Sequence, residues 1–156
     1  MKAATLYQPW ATLVAIKAKR IETRSWATKY RGELGIHAST QRRFINNRSK
    51  DYICDEEPFY SVLTGYYRSK SIVPWYILPK GMIVAVCELK NCILIEPPYS
   101  DHIILGLSDQ EKVFGDYTPG RFMWFLENVR ELKKPIPAKG ALGLWEWTPP
   151  EDLAFK

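Results

Sequence analysis

Apolar and polar positions alternate most regularly between residues 83 and 95, where Ile83, Ala85, Cys87, Leu89, Ile93 and Ile95 share one side of a two-residue period and only Asn91 interrupts it. That period is the signature of a strand, whose successive side chains point to opposite faces. A straight strand of this length exceeds the usual ~3–10 residues. The pattern therefore predicts a bend or bulge near Lys90-Asn91, of the kind that lets a sheet curl into a barrel. Further strands are predicted from Lys2 to Tyr7, over the polar stretch 20–26, and from Gly32, with Leu34, Ile36 and Ala38 on one face and Glu33, Gly35 and His37 on the other. Another runs from Phe122 to Leu132, stopped by Pro135 and Pro137, and a last from Gly143 to Trp147, ended by Pro149-Pro150.

Helical spacing appears in three places. Gln8-Pro9-Trp10 opens a run to Ala18 whose buried stripe is Trp10, Ala11, Leu13, Val14 and Ile16, with Pro9 near the first turn, where its missing N–H costs little. Residues 108–114 form a short helix capped by Ser108, with Glu111 at the capping-box position. Ser39 and Thr40 suit the N-cap of a helix from Gln41 to about Lys50 that carries Arg42, Arg43, Arg48 and Lys50. From 51 to 78 the period is lost: an acidic cluster, Asp55-Glu56-Glu57, precedes the basic and aromatic Tyr66-Tyr67-Arg68-Ser69-Lys70. The expected architecture is α+β, a small, mixed, mostly antiparallel β-barrel flanked by helices. One domain spans 1–148 with a helical or irregular insertion at about 40–80, and 149–156 form a C-terminal tail.

The densest chemistry lies in Lys19-Arg20-Ile21-Glu22-Thr23-Arg24-Ser25-Trp26. Strand alternation puts Arg20, Glu22, Arg24 and Trp26 on one side and Ile21, Thr23 and Ser25 on the other. A strand this polar is either a solvated edge, where a Glu22–Arg24 pair contributes ~0–1 kcal/mol, or the floor of a polar cleft suited to a flat nucleobase or nucleotide. A Pro-Gly turn in Asp116-Tyr117-Thr118-Pro119-Gly120-Arg121 would aim Tyr117 and Arg121 at one place, the cleft of Glu22 and Arg24, with Asp116 near Arg24 or Lys19.

Composition adjusts this picture modestly. The chain has 156 residues, enough for one domain with a real core, and is 46% hydrophobic and 25% charged. A net charge of +5 favours an anionic partner. Cys54, Cys87 and Cys92 fit no metal or redox spacing, and their odd count points to a reducing, cytoplasmic setting. His37 and His102 are far apart without ligand neighbours, so neither a metal nor a cofactor is expected. No leader is expected at the start, where Lys2 is followed by only a short apolar run, and no run reaches the ~20 apolar residues of a membrane span. Aromatic residues make up 13% of the chain, six of them tryptophans, and bases stack on such faces for ~1–3 kcal/mol each. Trp26, Tyr30, Tyr117 and Trp10 are the candidate platforms, while Trp124, Trp145 and Trp147 fit the core; Lys29, Arg31 and Arg121 are candidate phosphate contacts.

Three stretches resemble one family. Gln8-Pro9-Trp10 followed by Lys19, Glu22 and Arg24 is similar to the ASCH-domain signature G-x-K-x-x-E-x-R, with Lys17 in place of the glycine. Gly32-Glu33-Leu34-Gly35-Ile36-His37-Ala38 resembles its second strand motif. Phe114 to Phe122 and Gly140 to Trp145 resemble the C-terminal half in bacterial and phage-type members. The resemblance implies a PUA-like barrel whose cleft takes RNA or a modified nucleoside, with DNA as an alternative strand. It also implies possible enzymes: ribonucleases, and amidohydrolases of N4-acetylcytidine that use a lysine, a threonine and a glutamate. Lys19 matches that lysine, Glu22 occupies the threonine position, and the third residue corresponds to Glu111 or Asp116, which spacing does not separate. The ligand set so implied is Lys19, Glu22, Arg24, Trp26, Tyr117 and Arg121; for a reaction, Lys19, Glu22 and Asp116, or Glu111 in its place. Loss of the threonine tilts the reading towards binding.

Overall fold

A computed structural model describes residues 1–42, 57–68 and 77–156. The elements are β1 (Lys2–Gln8), α1 (Trp10–Ala15), β2 (Ile21–Arg24), β3 (Gly32–Arg42), α2 (Phe59–Tyr67), β4 (Met82–Leu94), α3 (Asp101–Leu105), α4 (Asp109–Phe114), β5 (Phe122–Pro137) and β6 (Leu144–Glu146). The strands form one sheet in the order β2-β5-β4-β3-β1-β6. Among the described residues only β1 and β3 run parallel and the other pairings are antiparallel, which makes the sheet mixed and mostly antiparallel. With β2 and β6 as its two edges, the sheet is a curled half-barrel.

Bulges supply the curl. Against β5, β4 shifts register between Leu89 and Asn91, where the alternation broke, and again between Ile83 and Ala85 and between Val86 and Glu88. The concave face is filled by Leu6, Leu34, Ile36, Leu89 and Trp124, closed over by Ala11, Val14 and Ala15 of α1. Fully burying a side chain of the Leu or Ile kind contributes about 1.5–3 kcal/mol. The other face packs Ala3, Ile83, Val86 and Leu132 beneath Trp147. Leu13 turns outward from the sheet to meet Phe59 and Leu63 of α2 and Phe114 of α4.

Several expectations need correction. Ser39 and Thr40 do not cap a helix: β3 continues through them to Arg42, and the Ser39 hydroxyl accepts the Gln41 N–H within the strand. Pairing of Ala38 with Leu6 and Met82, and of Arg42 with Gln8, carries the extended backbone through them and outweighs their capping preference. The rest of that expected helix (Arg43, Arg48, Lys50), with Cys54, Asp55, Glu56, Ser69 and Lys70, lies outside the described residues. β5 does not stop before Pro135 but runs to Pro137. The partner of β4 jumps from Glu131 to Ile136 there, so Pro135 sits in a bulge, where a missing N–H breaks no ladder bond. β2 ends at Arg24, so Trp26 lies beyond the strand that was to carry it. The helix α3 has no counterpart in the pattern.

Residues expected to form a tail run back along β5. Phe155 bridges Leu132, Lys133 N–H donates to the Ala154 carbonyl at 2.9 Å, and Lys156 N–H donates to that of Glu131 at 2.9 Å. The Lys156 ammonium lies 2.7 Å from the Glu131 carboxylate, which also receives the Tyr66 hydroxyl of α2.

Candidate functional site

The turn out of α1 sets the site. Lys17, at the position of the signature's glycine, has φ of 64°, the left-handed region that side chains avoid. That reversal lets the N–H groups of Ala18 and Lys19 both donate to the Leu13 carbonyl, at 2.9 and 3.0 Å, which caps the helix. It also sends the Lys19 side chain inward, where it is 1% exposed. Its ammonium donates to the Ile21 carbonyl at 2.5 Å and lies 4.0 Å from Glu22 Oε2 and 3.9 Å from Glu111 Oε1. Desolvation lowers the Lys19 pKa, and the Glu22 and Glu111 charges oppose that shift.

Glu111 performs half of the expected capping box. Its N–H donates to the Ser108 hydroxyl at 3.1 Å. Its carboxylate, instead of turning back to Ser108, accepts the N–H groups of Arg20 at 2.8 Å and Ile21 at 3.1 Å. The capping glutamate thus fastens α4 to the start of β2. Tyr117 leans on the same place, its hydroxyl donating to the Glu111 carbonyl at 3.4 Å, and burial pushes its phenol pKa up.

On the face of β2 that it shares with Trp124, Arg24 Nε lies 3.0 Å from Glu22 Oε1. That contact is one of charges and not an aligned hydrogen bond, because the Nε–H is not directed at the carboxylate. Arg24 Nη2 donates to the Thr5 carbonyl of β1 at 2.8 Å, which ties the free edge of β2 across to the far side of the curl. Below, Trp124 meets Trp26 edge to face at 4.7 Å between ring centres.

The turn from Asp116 to Arg121 is pinned by Thr23. The Thr23 hydroxyl accepts the Asp116 N–H at 3.0 Å, and its carbonyl accepts Arg121 Nη2 at 3.2 Å. Asp116 also accepts the Thr118 N–H and hydroxyl, and its carboxylate lies 3.2 Å from Arg121 Nε. Gly120, at φ of 90°, supplies the left-handed residue after Pro119 that such a turn requires.

Between β2, this turn and α1 opens a cavity of about 470 Å³. Glu22, Arg24, Trp26, Asp116 and Arg121 line it, with Trp10 at the α1 end. Six sequence-predicted residues are therefore brought together. Lys19, Glu111 and Tyr117 stand behind that wall and do not line it. Between Glu111 and Asp116, the carboxylate within 4 Å of Lys19 is Glu111, at 3.9 Å. Sequence reading missed Thr5, which contributes through a backbone carbonyl that no residue type announces. It also missed Gly115, where a methyl group would run into the Tyr117 ring; a glycine beside an aromatic in a loop was the available signal.

Among the described residues, no group of three His, Cys, Asp or Glu side chains is placed to hold a metal ion. No helix among them is long and apolar enough to cross a membrane.

The family model of the ASCH domain matches residues 5–136. Among curated proteins, Activating signal cointegrator 1 of Mus musculus is 25% identical over 142 residues, covering 91% of this chain and 21% of its own length. Activating signal cointegrator 1 of Homo sapiens is 24% identical over 142 residues, with the same coverage of each chain. The chain thus spans about a fifth of these relatives.

Proposed function

This chain belongs to the ASCH domain family, and we propose on that premise that it is a binding module for nucleic acid, RNA first, which takes a base or a modified nucleoside into the cavity at the end of β2. The observation that carries this reading is the Glu22–Arg24 pair, 3.0 Å apart, facing a cavity of about 470 Å³ walled on another side by Trp26. A carboxylate beside a guanidinium offers adjacent acceptor and donor, the complement of a base edge. Indole faces supply stacking, worth ~1–3 kcal/mol per base. The cavity falls in the range of about 300–1,000 Å³ typical of small-molecule sites. Exposed Lys17, Arg20 and Lys29 flank β2 in sequence and give phosphates a salt-dependent attraction outside the cavity.

The test is fluorescence anisotropy of a short labelled single-stranded RNA with wild type and Arg24→Ala at two salt concentrations. Salt-sensitive binding that the variant loses supports the module; absence of binding at micromolar protein, to the RNA and to free nucleosides alike, refutes it.

A hydrolase reading has one observation in its favour: a buried lysine within 4.0 Å of two carboxylates, with its pKa lowered towards the free base. The position of Lys19 behind the cavity wall weighs against it. Turnover of free N4-acetylcytidine, abolished by Glu22→Gln, would establish it; no turnover would remove it.

A further inference from the structure

The charges on the cavity wall cancel. Its two guanidinium groups, Arg24 and Arg121, are matched by two carboxylates, Glu22 and Asp116. Arg24 Nε lies 3.0 Å from Glu22, and Arg121 Nε lies 3.2 Å from Asp116. Each arginine commits a second nitrogen to the protein, Arg24 Nη2 to the Thr5 carbonyl and Arg121 Nη2 to the Thr23 carbonyl. Neither side chain therefore presents the open, two-pronged fork that grips a phosphate. A phosphate entering here would meet two carboxylates and would have to displace one from its arginine. A neutral heterocycle meets no such opposition. Its N–H groups find carboxylate oxygens, its ring nitrogen or carbonyl finds the remaining guanidinium N–H, and its faces find Trp26 and Trp10.

We propose, resting on the binding role above, that the cavity selects an uncharged nucleobase by a donor–acceptor edge and excludes phosphate, so that any phosphate contacts of a bound strand fall outside it. The base comes either from a free nucleoside or from a nucleotide turned out of an RNA strand; the chemistry at the wall is the same.

The experiment is calorimetric titration of the full chain with the four ribonucleosides, their 5′-monophosphates and inorganic phosphate, at two salt concentrations. The expected result is a nucleoside that binds within about threefold of its own monophosphate, insensitive to salt, with no competition from inorganic phosphate. A monophosphate at least tenfold tighter than its nucleoside, or competition by inorganic phosphate, overturns the proposal and leaves nucleic-acid binding intact. If only the RNA strand binds, one abasic position in a short strand decides the source: loss of binding supports a turned-out base, and unchanged binding overturns the inference. If neither nucleosides nor RNA bind, the binding role itself fails. Two variants sharpen the reading. Glu22→Gln and, at the more exposed rim, Asp116→Asn each leave the wall with a net positive charge. Each should raise the preference for monophosphate over nucleoside by about tenfold, and no change in either variant contradicts the charge-balance argument.

Discussion

The Ile21 N–H donates to the Glu111 carboxylate at 3.1 Å across 90 residues of sequence, and with the Arg20 N–H at 2.8 Å it makes one side chain the clasp between α4 and β2. The same carboxylate is one of two that neighbour the buried Lys19. Glu111→Ala removes the acceptor of two backbone donors and half of the lysine's compensation. A loss of about 2–4 kcal/mol is expected, seen as a lower urea midpoint at an unchanged m-value. Glu111→Gln, which keeps one acceptor oxygen, should cost clearly less. Equal losses for both would mean that the clasp adds little.

Lys17 holds a left-handed backbone at φ of 64° for the sake of the α1–β2 turn. Lys17→Gly should stabilise the fold by about 1 kcal/mol, since the relief of strain exceeds the entropy glycine loses on folding. Thermal and urea unfolding would read it, and a destabilised variant would contradict the strain.

His37 is 2% exposed; its Nε2–H donates to the Ala138 carbonyl at 3.1 Å, and its Nδ1 has no partner among the described residues. Burial lowers its pKa from 6.5 in the folded state. With the folded value depressed, the unfolded chain takes up a proton first as pH falls. Stability is full above 6.5 and declines as pH drops towards the folded pKa. Urea unfolding between pH 7.5 and 5.5 should show this slope, and His37→Gln should flatten it. A slope that survives in the variant would assign the pH dependence to other groups.

Arg24 lines the cavity and Lys19 does not. Arg24→Ala should weaken RNA binding at least tenfold, about 1.4 kcal/mol. Lys19→Met, checked for a native circular dichroism spectrum, should change it less than threefold. Similar losses in the two variants would show that Lys19 reaches the ligand.

The fold was legible where side-chain period and sheet position agree. The long strand β4 and its bulge at Leu89–Asn91 were visible because one misplaced asparagine breaks a strict alternation. Ser39, Thr40 and Pro135 misled because capping and strand-breaking preferences are local, whereas neighbouring strands and bulges decide the outcome. The site divides in the same way. Glu22, Arg24, Asp116 and Arg121 declared themselves as charges in a compact motif and beside a turn. The depth of Lys19 did not, because lysine is almost always exposed and its burial is tolerable only with a second carboxylate, that of the sequence-distant Glu111, beside that of Glu22. The capping box was readable at Ser108 and Glu111, but the reach of the glutamate to β2 depends on the tertiary fold.

The strip from Ala154 to Lys156 takes the hydrogen bonds of β5 at Glu131 and Lys133, beyond the stretch that β2 covers. It is therefore an edge guard. A protein cut after Leu153 would leave that stretch of β5 as bare backbone, a template on which a second copy can add a strand. Loss of Ala154 to Lys156 should therefore raise the tendency of the protein to associate with itself, which sedimentation velocity would read as a larger species.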